Sequence, residues 1–273
     1  MLYIDLILNN LFDAILFPLQ SLHPLWSLII LSIPIGTVFL LIFRITSDQK
    51  KIREKKERIQ GYMMEMRLFK DDPRVLLSAF GNIIRNNLSY MKYASKPLLF
   101  MFVPVIIVLI QLEAWYGYMP LRKGESVILS VKLKEKFQSH DNVEIFSSEG
   151  IVVETLPLWI PEVNELDWRI RAEADGEHLV TINIQGKKIG KSIIVSKKLN
   201  RVSSKRVSSS SWNRIIDISE RPMLESDGIQ EINVHYPLRK IEVFGWKTHW
   251  VVIFFILTII VGFTLKGYFN VVI

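Results

Sequence analysis

Cysteine is absent from this 273-residue chain, which excludes a disulfide-built secreted scaffold and every site that needs thiolates. Lysine and arginine are absent before Arg44. A cleaved signal peptide opens on a basic stretch and closes on a small-residue cleavage site, so the apolar run that begins at Leu25 reads as a retained membrane span. Catalytic signatures are missing too: there is no H-E-x-x-H, no G-x-S-x-G, no G-x-x-x-x-G-K-[ST] and no dinucleotide fingerprint. The five histidines (His23, His140, His178, His235, His249) are scattered along the chain. Gly186 and Gly190 read as turn residues rather than a phosphate cradle, and His249, beside Trp250, reads as an interfacial anchor rather than a metal ligand. No catalytic residue, metal or cofactor is expected, and the chain is not expected to be an enzyme.

Hydrophobic residues make up 49% of the chain and charged residues 22%, with a mean hydropathy of +0.25. A positive mean at that charge content requires apolar and charged residues to be segregated along the sequence, the pattern of membrane spans joined by polar domains. Leu25 to Phe43, Leu98 to about Tyr116, and Trp250 to Leu265 each approach the roughly 20 apolar residues that cross a ~30 Å hydrocarbon core. Pro34 and Gly36 predict a kink in the first span, tolerated where neighbouring helices satisfy freed carbonyls. Trp115, Tyr116 and Tyr118 after the second span, and Trp246 and Trp250 at the third, mark headgroup-level aromatic belts. Between Arg44 and Lys96 there are thirteen basic residues against six acidic ones. The positive-inside rule therefore puts 45–96 in the cytoplasm, the N-terminus and 118–246 outside, and the tail 267–273 back in the cytoplasm.

The polar parts have distinct periods. Residues 1–23 carry Leu2, Leu6, Leu11, Phe12, Ile15, Leu16 and Leu19 at helical, amphipathic spacing, which predicts a helix in the outer membrane interface ended by Pro24. Residues 45–96 predict an antiparallel helical hairpin. Thr46 or Ser47 caps its first helix, Asp72 caps the second with Pro73 at the first position, and two apolar stripes bury each other: Ile52, Ile59, Met63 and Met66 on one, and Val75, Leu76, Phe80, Ile83, Ile84, Leu88 and Met91 on the other. The basic run Lys50, Lys51, Arg53, Lys55, Lys56, Arg58 is either a solvated helix face or a contact for anionic lipid or ribosomal RNA. From Gly124 to Tyr236 the period is two, as in Val127, Leu129, Val131 and Leu133, in Trp168, Ile170 and Ala172, and in Val180, Ile182 and Ile184. Turn signals at Asp175-Gly176-Glu177, Gln185 to Lys188 and Asp227-Gly228 complete the pattern of an antiparallel β-sandwich of the immunoglobulin-like kind. Ser203 to Ser211 reads as a long mobile loop within it.

The fold expected is thus an α+β membrane protein with TM1 at 24–44, TM2 at 97–117 and TM3 at 247–266, a cytoplasmic hairpin and an extracytoplasmic β-sandwich. Three polar residues at span ends stand out as groove candidates. Glu113, about 22 Å along a helix from Leu98, either snorkels at the outer interface or meets a partner. Gln111 lies deeper, where an amide lines a polar groove or bonds a neighbouring helix. Arg44 is a positive-inside anchor or the guard of a groove mouth.

An outer amphipathic helix, a span, a basic cytoplasmic hairpin (Ser47-Asp48-Gln49-Lys50-Lys51-Ile52 through Lys92), a second span, an outer segment and a third span follow one another in an order that resembles the three-span core of the YidC-type membrane-protein insertases. The resemblance covers roughly 1–116 and 247–270 and is one of architecture. The stretches Lys70-Asp71-Asp72-Pro73-Arg74-Val75-Leu76-Leu77 and Gln111-Leu112-Glu113-Ala114-Trp115-Tyr116-Gly117 are similar to those of bacterial membrane proteins of the same layout. Two features differ: no span has a charged residue at its middle to match the groove arginine of the bacterial insertases, and about 120 residues of β domain stand between the second and third spans. The resemblance implies a hydrated groove that eases a client's hydrophilic segment into the bilayer, a hairpin that receives it, and no cofactor. It implies a bacterial cytoplasmic membrane, with the lipid bilayer, nascent membrane proteins and the ribosome as partners and no role for DNA. The alternative is a non-enzymatic scaffold whose β-sandwich binds a protein partner outside the cytoplasm.

Overall fold

The computed structural model describes residues 2–134, 143–184, 186–208, 220, 223, 228–243 and 245–272. It is an α+β fold with antiparallel sheets, in two compact units: 1–27 with 109–250, and 28–108 with 251–273. Helices α2 (Pro24–Thr46) and α4 (Pro73–Tyr116) run through the boundary between units.

The second unit is helical. Helix α2 and the apolar part of α4 are long and apolar enough to cross a membrane, while α5 (Trp250–Leu265) is a shorter apolar helix of 16 residues. Pro34 stands inside α2, and Pro97 and Pro104 inside α4, without ending either helix. The expected division at 96/97 between hairpin and span is therefore no break: one helix of 44 residues serves both. Its partner in the hairpin is α3 (Gln49–Leu68). Lys55 Nζ donates to Asn86 Oδ1 at 3.3 Å and the Lys51 ammonium lies 5.3 Å from the Tyr93 ring centre, so residue numbers rise on one helix as they fall on the other.

The first cap falls on Asp48 rather than on Thr46 or Ser47. Its Oδ1 accepts the Lys51 amide at 3.2 Å, whereas the Thr46 hydroxyl turns back to the Ile42 carbonyl. Hydrogen bonds from Lys51 hold the Asp48 carboxyl below its ordinary value. The second cap is as the sequence predicts, with Asp72 Oδ1 accepting from Arg74 at 2.9 Å ahead of Pro73 at the helix start. The two apolar stripes bury each other only in part: Ile52 and Ala79 are buried, but Phe80, Ile84, Leu88 and Met91 stay exposed. Apolar residues occupy more of α4 than one neighbouring helix can cover.

The first unit holds α1 (Leu2–Leu16), a 3₁₀ turn at Phe17–Leu19, the C-terminal end of α4 and the β strands. The strands are β1 (Ser126–Leu133), β2 (Val143–Ser147), β3 (Ile151–Val153), β4 (Leu158–Ile160), β5 (Glu165–Ala172), β6 (Gly176–Ile184), β7 (Lys187–Val195), β8 (Lys205–Val207), β9 (Ile229–Val234), β10 (Lys240–Val243) and β11 (Trp246–His249). One sheet runs β3-β5-β1-β9-β8 with β4 also on β5, a second runs β2-β6-β7, and β10 pairs with β11. All strand pairs are antiparallel. The alternation read from the sequence is the burial alternation seen: Leu129, Val131, Leu133, Trp168 and Ile170 from the first sheet and Val180, Ile182 and Ile184 from the second share one core. Lys205–Val207 pairs with β9, so part of the serine-rich run is strand; Ser209 to Ser211 lie outside the described residues, as do Gln185 and Asp227. Strand β11 occupies 246–249, which moves the start of the third apolar helix from 247 to Trp250.

Lys191 on β7 has no exposed surface, a position the sequence does not single out. Its ammonium donates to the Ser203 carbonyl at 2.7 Å, to Ser203 Oγ at 3.1 Å and to Glu220 Oε1 at 2.7 Å. A buried charge is tolerated when its protons all find acceptors, and removal of one partner strands the other. Nearby, the Tyr236 hydroxyl accepts the Ile194 amide at 3.1 Å, and burial pushes its phenol well above its ordinary value. Glu220→Gln should therefore destabilise the β unit by about 3–5 kcal/mol, whereas Glu220→Gln combined with Lys191→Met, which removes both charges together, should cost much less. Thermal unfolding of the two variants checks the order.

Candidate functional site

Three apolar stretches of the helical unit line a groove of about 460 Å³: Gly36 to Phe43 on α2, Leu98 to Val105 on α4 and Phe255 to Phe263 on α5. Each stretch stops beside a cation, at Arg44, Lys96 and Lys266 in turn. The walls are Phe39, Phe43, Met101, Phe102 and Phe263 with their aliphatic neighbours, and half-exposed Phe102 and Ile259 leave the space open at one side. Gly36 brings α2 and α5 together: a Cβ at this position would lie 3.0 Å from Val261 Cγ1. Small residues permit such close approach between apolar helices.

The one hydroxyl on these walls, Thr258 Oγ1, is bonded to the carbonyls of Phe254 at 2.9 Å and Phe255 at 3.0 Å. The lining therefore has no side chain that could move a proton or attack a bond, and its chemistry is that of an apolar receptor. Among the described residues no cluster of three His, Asp or Glu is placed to hold a metal ion.

The residues singled out from sequence do not gather in one place. Arg44 is exposed in the last turn of α2, in the helical unit. Gln111 and Glu113 belong to the first unit. Gln111 is fully buried, its Nε2 donating to Asn9 Oδ1 of α1 at 2.9 Å, while its Oε1 has no partner among the described residues. Glu113 Oε2 accepts the Trp250 indole N–H at 3.0 Å. Lys50, Lys51, Arg53, Lys56 and Arg58 are exposed on α3, and Lys55 is half-buried against Asn86. The groove walls were not legible in the sequence, because an apolar run shows no preferred face; Gly36 and Gly262 were the only local signal. No protein-family model, curated protein or solved structure matches the chain.

Gly36→Val should force α2 and α5 apart, since even a lone Cβ at this position would lie 3.0 Å from Val261 Cγ1. A loss of about 1–3 kcal/mol is expected for such overpacking, read as a lower melting temperature of the detergent-solubilised protein, with Gly36→Ala intermediate.

Proposed function

We propose that α2, α4 and α5 all cross the bilayer, and that the protein is an insertase-like assembly factor of the YidC type. In this reading α1 and the β unit lie outside, the α3–α4 hairpin and the C-terminus lie in the cytoplasm, and the membrane is the cytoplasmic membrane of a bacterium. The observation that carries it is the apolar groove whose three walls each end at a cation. Arg44, Lys96 and Lys266 mark the cytoplasmic ends of helices by the positive-inside rule, which puts the groove in the cytoplasmic half of the membrane, where a newly made segment arrives.

Mechanistically, the groove receives an apolar segment of a client and releases it sideways into lipid through the gap beside Phe102 and Ile259. A hydrated groove of the kind the family resemblance implies would need polar walls, and Thr258 alone supplies a hydroxyl here. The hydrophilic flank of a client is therefore left to the hairpin, whose exposed lysines and arginines sit beside exposed Phe80, Ile84 and Leu88. Holding an apolar helix needs only contact area, at about 25 cal/mol per Å² covered.

A second reading, a scaffold that binds a protein outside the cytoplasm, draws on Leu156 and Leu158, both exposed at the short strand β4. A photo-crosslinker at Phe102 and another at Leu156 separate the two. Ribosome-stalled chains with one apolar segment should crosslink at Phe102, and the yield should fall about tenfold when that segment is made polar, the ratio expected for roughly 1.4 kcal/mol of lost contact. Equal yields at Phe102 for both chains, with a single stable partner at Leu156, would overturn the insertase reading in favour of the scaffold.

A further inference from the structure

A second cavity, of about 500 Å³, lies wholly within the first unit and has the opposite character to the groove. Its walls come from the residues just before α2 (Gln20 to Pro24), just after α4 (Met119 and Arg122), after β7 (Lys197 to Leu199) and along the start of β10 (Arg239 to Glu242). Five of these side chains are cationic (Arg122, Lys197, Lys198, Arg239 and Lys240), against one carboxylate, Glu242. Among the described residues no ion pair engages any of the five. Like charges gathered round a concave surface raise one another's energy unless an anion sits among them.

Arg239 supplies an independent pointer. It is 9% exposed, so its guanidinium is withdrawn from water. One nitrogen, Nη2, donates to the Tyr118 carbonyl at 3.1 Å, but Nε is buried with no acceptor among the described residues. An unmet donor on a buried charged group costs free energy that a well-placed acceptor recovers. Burial also pushes this guanidinium below its ordinary value, with Tyr116 working in the other direction.

We propose that this cavity binds a phosphoryl group, with Arg239 as the fixed fork at its floor and Lys197, Lys198, Arg122 and Lys240 as the mobile cations at its rim. Guanidinium forks match the paired oxygens of phosphate, and ammonium groups add charge without fixing direction. The group could be carried by an anionic phospholipid or arrive as soluble phosphate. Only the lipid source rests on the proposal that α2, α4 and α5 cross the bilayer; the soluble source needs no membrane.

The test uses the full chain in detergent, with phosphatidylglycerol, phosphatidylcholine and inorganic phosphate titrated separately; native mass spectrometry reads bound lipid and calorimetry reads phosphate. Phosphatidylglycerol should be retained about tenfold or more over phosphatidylcholine, as several lysines and arginines near one headgroup imply. Lys197→Gln with Lys198→Gln, both at exposed positions that leave the fold intact, should remove most of that preference. Lys132→Gln with Lys188→Gln, an equal loss of charge elsewhere in the β unit, should keep it. Binding of inorganic phosphate that the Lys197/Lys198 pair of changes abolishes, with the two lipids held alike, would support the site and assign it to a soluble ligand. If the two lipids are held alike and phosphate does not bind, or if the Lys197/Lys198 variant discriminates as well as the native chain, the proposal fails. None of these outcomes touches crosslinking at Phe102, so the two readings fail separately.

Discussion

The C-terminal end of α4 is the constraint on which the first unit depends. In two turns the chain passes from Gln111 to Gly117, and several of its polar groups are taken up by different parts of the unit, while Gln111 Oε1 and Trp115 Nε1 find no partner among the described residues. The Ala114 carbonyl accepts from Val202 at 2.7 Å, the Gly117 carbonyl from Arg239 at 2.9 Å, and Glu113 from Trp250 at 3.0 Å. Gln111 reaches Asn9 on α1, and the Tyr116 hydroxyl donates to Ser27 at 2.8 Å. A helix end normally leaves its last carbonyls unmet; here strands and loops remote in sequence meet them, so the β fold and the helix end form together. Gly117 belongs to the same arrangement, since a Cβ there would fall 2.7 Å from the Glu113 carbonyl oxygen.

Around this end the other contacts of the first unit are arranged in series. Leu121 donates to Ile194 at 3.1 Å and its carbonyl accepts from Ser196 at 2.8 Å, which ties the exit from α4 to the end of β7. The segment after β7 then crosses to the N-terminal segment, where Leu199 donates to the Gln20 carbonyl just past the 3₁₀ turn and Arg201 pairs with Asp13 of α1 at 3.2 Å. Phe12 and Leu16 of α1 are buried while Ile7, Leu11 and Ile15 point outward. The first helix is thus held by one face and leaves an apolar ridge on the other.

Local chemistry was legible in the sequence and long-range chemistry was not. Asp72-Pro73 gave the start of α4, and the alternation Val127 to Leu133 gave the buried face of β1, because caps and pleats are decided by neighbours in the chain. The continuity of α4 through Pro97 was not legible: a proline in a helical pattern usually marks a boundary, but here the helix runs through it to Tyr116. Lys191 and Arg239 looked like any exposed cations, since their burial is fixed by Ser203, Glu220 and Tyr118, far off in sequence. Gln111 and Glu113 were visible as polar groups in an apolar run, and the identity of their partners was not, for the same reason. The groove walls left almost no trace, because side chains that are apolar on every side give no periodic signal.

The unbroken run of α4 has a consequence for how this chain can change over time. At 3.6 residues per turn, each residue added to or taken from the helix rotates one end against the other by about 100° and shifts it by about 1.5 Å. Within the helical unit, Asn86 and Tyr93 of α4 face α3, while Leu98, Met101, Phe102 and Val105 of the same helix face the groove shared with α2 and α5. A single insertion from 94 to 97 would satisfy one set only by dismantling the other. Length variation in this helix should therefore come in steps of about seven residues, two whole turns, while the loops between strands are free to grow one residue at a time.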